Sequence, residues 1–99
     1  MAQAARITKL ITEEKWSEVR REFNEQMMQE VSEQRLAEAW AQAEANGGRL
    51  LAIGDTLFAA RDQDNAVWDT VLDFERTDAK TRISFDRDDK VSGLFILTT

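Results

Sequence analysis

Acid–base or nucleophilic chemistry on this chain would have to come from carboxylates and amines alone. The 99 residues include no histidine, cysteine or tyrosine, so imidazole bases, soft metal ligands, thiol nucleophiles and phenolic acids are missing together. Asp55, Asp69 and Asp73 fall in strand-like stretches, where burial would raise a carboxyl pKa and make a base of it. Asp69 and Asp73, however, share alternation with the surface-like Glu75, and Asp55 follows Gly54 at an expected bend. Solvated carboxylates are the reading this pattern supports. Lys15, Lys80 and Lys90 each lie in a charged turn or at a strand start, poor settings for the desolvated amine that a Schiff-base lysine needs. No catalytic residue is assigned.

Metal and cofactor chemistry fare no better. The motif Asp86-Arg87-Asp88-Asp89-Lys90 begins like a calcium loop, with acids at its first and third positions. Its fifth position is Lys90, its sixth Val91 instead of Gly, and its twelfth Leu97 instead of Glu, which leaves a hairpin turn. Gly47-Gly48 closes a helix where a phosphate loop would open one, and no GxGxxG or Walker pattern surrounds it. The aromatic set Trp16, Trp40, Trp68, Phe74 and Phe85 is the candidate lining for a small apolar ligand. These rings also fall on the faces that must meet in a core, and core packing is the stronger reading. Neither a metal nor a cofactor is expected.

The elements that would position these residues belong to one domain, 1–99. With 42% hydrophobic residues, three Trp and five Phe, the chain can bury a core without disulfides or metal. Thirteen Lys and Arg against nineteen Asp and Glu give a net charge of −6, which repels a phosphate backbone or an anionic bilayer and argues against both as partners. No apolar run is long enough for a signal peptide or a membrane span, and the lack of cysteine suits a reducing compartment. A cytoplasmic protein is expected.

Periodicity changes from helical to strand-like near Gly47-Gly48, dividing a helical layer (1–47) from an antiparallel sheet (48–99). Ile7, Leu10 and Ile11 are spaced i, i+3, i+4, and Trp16, Val19, Phe23 and Met27 continue at helical intervals. The break between the two helices has two readings, a cap at Thr12 or a short turn at residues 13–15. Ser32 is the expected N-cap of a helix over residues 33–45 that carries Leu36, Trp40 and Ala43 on one side. Beyond it Leu51, Ile53, Leu57 and Ala59 share one parity, with Gly54 marking a bulge. Trp68, Thr70, Leu72 and Phe74 then alternate against Val67, Asp69, Val71, Asp73 and Glu75, as do Thr81, Ile83 and Phe85 against Lys80, Arg82 and Ser84.

These features together resemble a family. Lys15-Trp16 opening the second helix, Phe23 and Met28 beyond it, residues 32–36 with Trp40, Gly47-Gly48, and the final hairpin over residues 85–94 are similar to an uncharacterised bacterial subfamily of the nuclear transport factor two-like, or cystatin-like, superfamily. That resemblance implies helices packed on one face of a curved four-stranded sheet, a cone-like α+β fold. It also implies a range of roles: isomerases, dehydratases, transport adaptors, accessory domains beside hydrolases, and domains with no known activity. The enzymes of that superfamily place a Tyr or His with an Asp at the open end of the cone, and this chain has neither.

The expected function is therefore a non-catalytic module that binds a small molecule or pairs with itself; the alternatives are an isomerase-type enzyme using Asp or Glu alone, or an accessory domain of a hydrolase. Self-pairing is argued from the last strand, whose apolar residues occupy both parities, Leu94 and Ile96 on one, Phe95 and Leu97 on the other. A two-residue turn at Asp88 and Asp89 would pair Phe85 with Ser92 and Ile83 with Leu94, leaving Phe95 and Leu97 outside; a loop one residue different would expose Leu94 and Ile96. Either pair would lie near the outward Val67 and Val71, and a homodimer would cover the patch in both copies.

Overall fold

The architecture, taken from a computed structural model, is described for residues 2–98. Four helices come first: α1 (Ala2–Thr12), α2 (Trp16–Arg20), α3 (Glu25–Glu30) and α4 (Glu33–Gly47). Four strands follow, β1 (Leu50–Asp62), β2 (Asn65–Phe74), β3 (Asp78–Phe85) and β4 (Val91–Thr98), paired antiparallel in the order β1-β2-β3-β4. Helix side chains from Ala4 to Ala43 share one core with Leu72, Phe74, Ile83 and Phe85, so the helices cover one face of the sheet. This is the α+β arrangement that the change of period indicates.

α1 buries Ala4, Ile7, Thr8 and Ile11 as a single stripe. It ends in a turn: Glu14 adopts φ 59°, and the N–H groups of Glu14 and Lys15 donate to the carbonyls of Ile11 and Leu10, both at 3.0 Å. That closure is normally built on Gly and here uses Glu. Thr12 is no cap, since its hydroxyl donates back to the Lys9 carbonyl at 2.8 Å.

The next expectation needs correction, because the apolar spacing from Trp16 to Met27 does not mark one helix. The chain leaves the helical path at Phe23, which bridges to Val91 in parallel. Val91 N–H donates to the Glu22 carbonyl and Asn24 N–H to the Val91 carbonyl, at 2.8 and 2.9 Å, so residues 22–24 add a fragment of strand to the β4 edge. Asn24 then caps α3 by accepting from Met27 N–H. Arg20 closes the other end of α3, its guanidinium donating to the Met28 and Val31 carbonyls at 2.8 and 3.0 Å.

Ser32 caps α4 as its sequence suggests, accepting from Arg35 N–H at 3.2 Å. The two glycines at the far end act differently. Gly48 takes φ 85°, which L-residues avoid, whereas Gly47 permits close approach, since a Cβ there would lie 2.7 Å from Phe74 Cβ. The helix end is tied to the β2–β3 turn, with Arg76 N–H donating to the Gly47 carbonyl at 2.8 Å.

Thr8, on α1, and Thr81, on β3, are fully buried and place their hydroxyls 2.7 Å apart. Thr8 also donates to the Ala4 carbonyl at 2.9 Å. A hydroxyl has one proton, so Thr81 must be the donor between the two. This bond pins the first helix to the centre of the sheet.

The register of β1 departs from simple alternation. Leu50, Ile53, Thr56 and Phe58 stand opposite Phe74, Leu72, Thr70 and Trp68, with irregularities between Leu50 and Ala52, Ile53 and Thr56, and Phe58 and Ala60. Each irregularity adds a residue to β1, so the residues facing the helices recur at intervals of three wherever one intervenes. The shared parity of Leu51, Ile53, Leu57 and Ala59 is therefore corrected: Ile53 faces inward with Leu72, while Leu57 faces outward with Asp69. At the other end, Phe85 pairs with Val91 instead of Ser92, and an irregularity between Ser84 and Phe85 restores the expected Ile83–Leu94 pairing.

Candidate functional site

The sheet face turned away from the helices carries the exposed apolar side chains of Leu57, Val71 and Phe95 around a central group of charges. Val67, Asp69 and Val71 of β2 point there because Trp68, Thr70 and Leu72 point inward. Cross-strand pairing then lines up Leu57 of β1, Asp69 of β2, Arg82 of β3 and Phe95 of β4 in one row, since directly paired residues share a face. Val71, Lys80 and Leu97 form part of the next row.

At the middle of this face Asp69 accepts two hydrogen bonds from Arg82, from Nε and Nη2, each 2.8 Å long. Lys80 Nζ stands 3.3 Å from Oδ2, the oxygen that also accepts from Arg82 Nη2. The Arg82 hydrogen bonds, and then the Lys80 ammonium, hold the Asp69 carboxyl below the usual carboxylate range against the opposing effect of burial. The Asp69 side chain is only 17% exposed, although no helix or strand among the described residues covers this face. Leu57 and Phe95, at the two ends of the row, are 62% and 57% exposed, and Val71 is 37% exposed.

The six interface candidates divide accordingly. Val71, Phe95 and Leu97 lie on the outer face, with Phe95 the most exposed of them; Val67 is on that face too but is buried. Leu94 and Ile96 pair with Ile83 and Thr81 and pack, partly buried, against the core. The final hairpin thus turns Phe95 and Leu97 to the outer face, where Phe95 is exposed and Leu97 partly buried. Leu57 has no place in the sequence-derived set, because only the β1 irregularities turn it outward.

The aromatic candidates are dispersed. Trp40, Phe74 and Phe85 are buried in the core, with the Trp40 and Phe74 rings 5.7 Å apart at 45°. Trp16 and Trp68 are partly buried at its margin. Trp68 is not enclosed as its alternation suggests, because its cross-strand neighbour is Phe58, edge-on at 5.3 Å and itself 51% exposed. Among the described residues no cavity opens between these rings.

The carboxylates with clear perturbations all point away from general acid–base work near neutrality. Glu22 is lowered by its hydrogen bond from Arg6, 2.9 Å long, against burial. At Asp86 burial acts upward, but the N–H groups of Lys90 and Asp88, donating at 3.0 and 2.9 Å, leave it lowered. A carboxylate stabilised in its ionised form is a weak base. Asp86 also shows what the calcium-like motif does: its oxygen organises the β3–β4 turn. Asp55 and Asp73 are exposed. Among the described residues no group of three or more acids is placed to hold a metal ion, and no helix is long and apolar enough to cross a membrane.

A family model described as a protein of unknown function (DUF3887) matches residues 4–94. No curated protein and no solved structure matches the chain.

Proposed function

Because the chain belongs to the DUF3887 family, whose function is unknown, its role has to be read from its own geometry, and we propose that it is a non-catalytic self-association module that forms a homodimer through the outer face of its sheet. The observation that carries this reading is the exposure of Leu57, Val71 and Phe95 around a partly buried Asp69–Arg82 pair on a face that no helix among the described residues covers. A sheet face bearing large apolar side chains is stabilised by a second layer, and a two-fold pairing supplies the same layer to both copies. The order of helices followed by a four-stranded antiparallel sheet bent by irregularities in β1 also supports a place in the nuclear transport factor two-like superfamily.

Sedimentation equilibrium at micromolar concentration tests the proposal. A species of twice 11.3 kDa that becomes monomeric in Phe95→Glu supports it. A wild-type monomer, or a dimer indifferent to that substitution, overturns it.

A second reading, binding of a small apolar ligand, is favoured by one place. Phe58 is exposed on the inner face of β1 with its ring against Trp68, and an apolar probe such as a naphthalene sulfonate would stack there. Its fluorescence should rise with native protein and fall in Phe58→Ala; no enhancement by native protein would remove this reading.

A further inference from the structure

The row across the outer face reads apolar, negative, positive, apolar: Leu57, Asp69, Arg82, Phe95, one residue from each strand. This order is its own complement when reversed. A two-fold axis lying between two stacked sheets, parallel to the strands and passing between β2 and β3, lays the row over its reverse. Each Asp69 then faces the partner's Arg82, and each Leu57 the partner's Phe95. The other face-to-face two-fold, with its axis along the row, sets each residue over its own copy, Asp69 against the partner's Asp69 and Arg82 against the partner's Arg82. Buried like charges disfavour that alternative strongly.

We propose that the protein dimerises about the axis parallel to its strands, with each Asp69 carboxylate shared between Arg82 of its own chain and the partner's Arg82. This rests on the self-association reading above and specifies its geometry. Adjacent strands are about 4.8 Å apart and packed sheets about 10 Å apart, so the row spans roughly 14 Å and the facing side chains interdigitate. Stacked sheets cross at about 30° because each is twisted. Residues next to the axis, Asp69 and Arg82, are displaced least by that crossing, whereas Leu57 and Phe95 have the freer, apolar contacts that tolerate it. The guanidinium of Arg82 has five donors and gives two to its own Asp69, leaving donors for the partner's carboxylate. Small residues occupy corresponding places in the adjacent row, Ala60 beside Val67 on β1 and Gly93 beside Ser84 on β4, and let the sheets approach.

Charge exchange tests the arrangement. Asp69→Arg alone should weaken dimerisation at least thirty-fold, as should Arg82→Asp alone, on the roughly 2 kcal/mol lower bound for mispaired buried charges. An equimolar mixture of the two variants should dimerise as a mixed pair, because each chain then presents two charges of one sign to two of the other. Circular dichroism on each variant establishes that it is folded. A second route leaves the charges intact: the chain lacks cysteine, so Leu57→Cys in one chain and Phe95→Cys in another should cross-link on oxidation. Restoration in the mixture, or that 57–95 cross-link, supports the proposal. Single variants that lose the dimer while the mixture stays monomeric, together with Leu57→Cys cross-linking to its own copy, would keep the outer-face dimer and overturn this axis. Charge variants that dimerise like the wild type would overturn the outer-face interface altogether.

Discussion

β3 and β1 lie one strand apart in the same sheet and meet opposite surroundings. Along β3 every second residue is buried, Ala79, Thr81, Ile83 and Phe85, and the residues between them are partly covered at most. Along the 13 residues of β1, only Leu50 and Thr56 are partly buried and the rest are exposed. Both strands are apolar enough for a core, so composition does not separate them. What separates them is position. β3 lies in mid-sheet with a strand on either side, while β1 is an edge strand that α1 touches and that packs against the core through Leu50. Burial of an apolar strand is thus a property of what stands opposite it, and β1 keeps Ile53 and Phe58 exposed on one face and Leu57 on the other.

The largest test of this contrast is truncation in the well-covered strand. Phe85 is 1% exposed, and Phe85→Ala should cost about 3 to 5 kcal/mol through lost burial and the cavity left behind. Urea denaturation measures it; a cost below about 1 kcal/mol would show that β3 is not the core strand. Trp68→Ala should cost less, because the ring stands at the core margin.

Two glycines sharpen the comparison at an intermediate level. Gly47→Ala drives a Cβ to 2.7 Å from Phe74 Cβ, where the α4 end meets the core, and should cost about 1 to 3 kcal/mol. Gly54→Ala meets Val71 Cβ at 3.0 Å, but β1 is the edge strand and can shift outward, so its loss should be smaller. Thermal melts of the two variants give the order directly, and the reverse order would place rigidity in β1.

Next comes the pH dependence of the outer face. The Asp69 carboxyl is lowered from its ordinary 3.8 in the folded state, so the native chain binds fewer protons there than the unfolded chain. The resulting stabilisation is present above the unfolded pKa and is lost as pH falls through the lower folded pKa. Asp69→Asn should flatten that acid limb, with an effect of about 1 kcal/mol or less for a partly exposed pair. An acid limb unchanged by the substitution would assign the dependence to Glu22 and Asp86, whose carboxyls are lowered too.

The smallest effect belongs to β1 itself. Leu57 is 62% exposed, so Leu57→Ser, in a Phe95→Glu background that keeps the chain monomeric, should move unfolding free energy by no more than about 0.5 kcal/mol. A larger loss would mean that β1 packs within its own chain and would dissolve the contrast with β3.

Much of the fold follows from periodicity because local rules govern it. The inward sets on β2 and β3, the Ser32 cap and the change of layer at Gly47-Gly48 depend on neighbours a few residues away, and the sequence alone determined them. Composition likewise limited the chemistry, since a chain without His, Cys or Tyr carries no imidazole, thiolate or phenol in any conformation. What depends on distant contacts was decided only in three dimensions. Phe23 leaves its helix because Val91 offers strand hydrogen bonds far along the chain, and helical spacing cannot register that competition. Leu57 turns outward because β1 holds extra residues relative to β2, a matter of pairing that alternation within one strand does not encode. The outer row has the same origin: Leu57, Asp69, Arg82 and Phe95 come from four strands and have no shared spacing, so their apolar, negative, positive, apolar order exists only once the register has set them side by side.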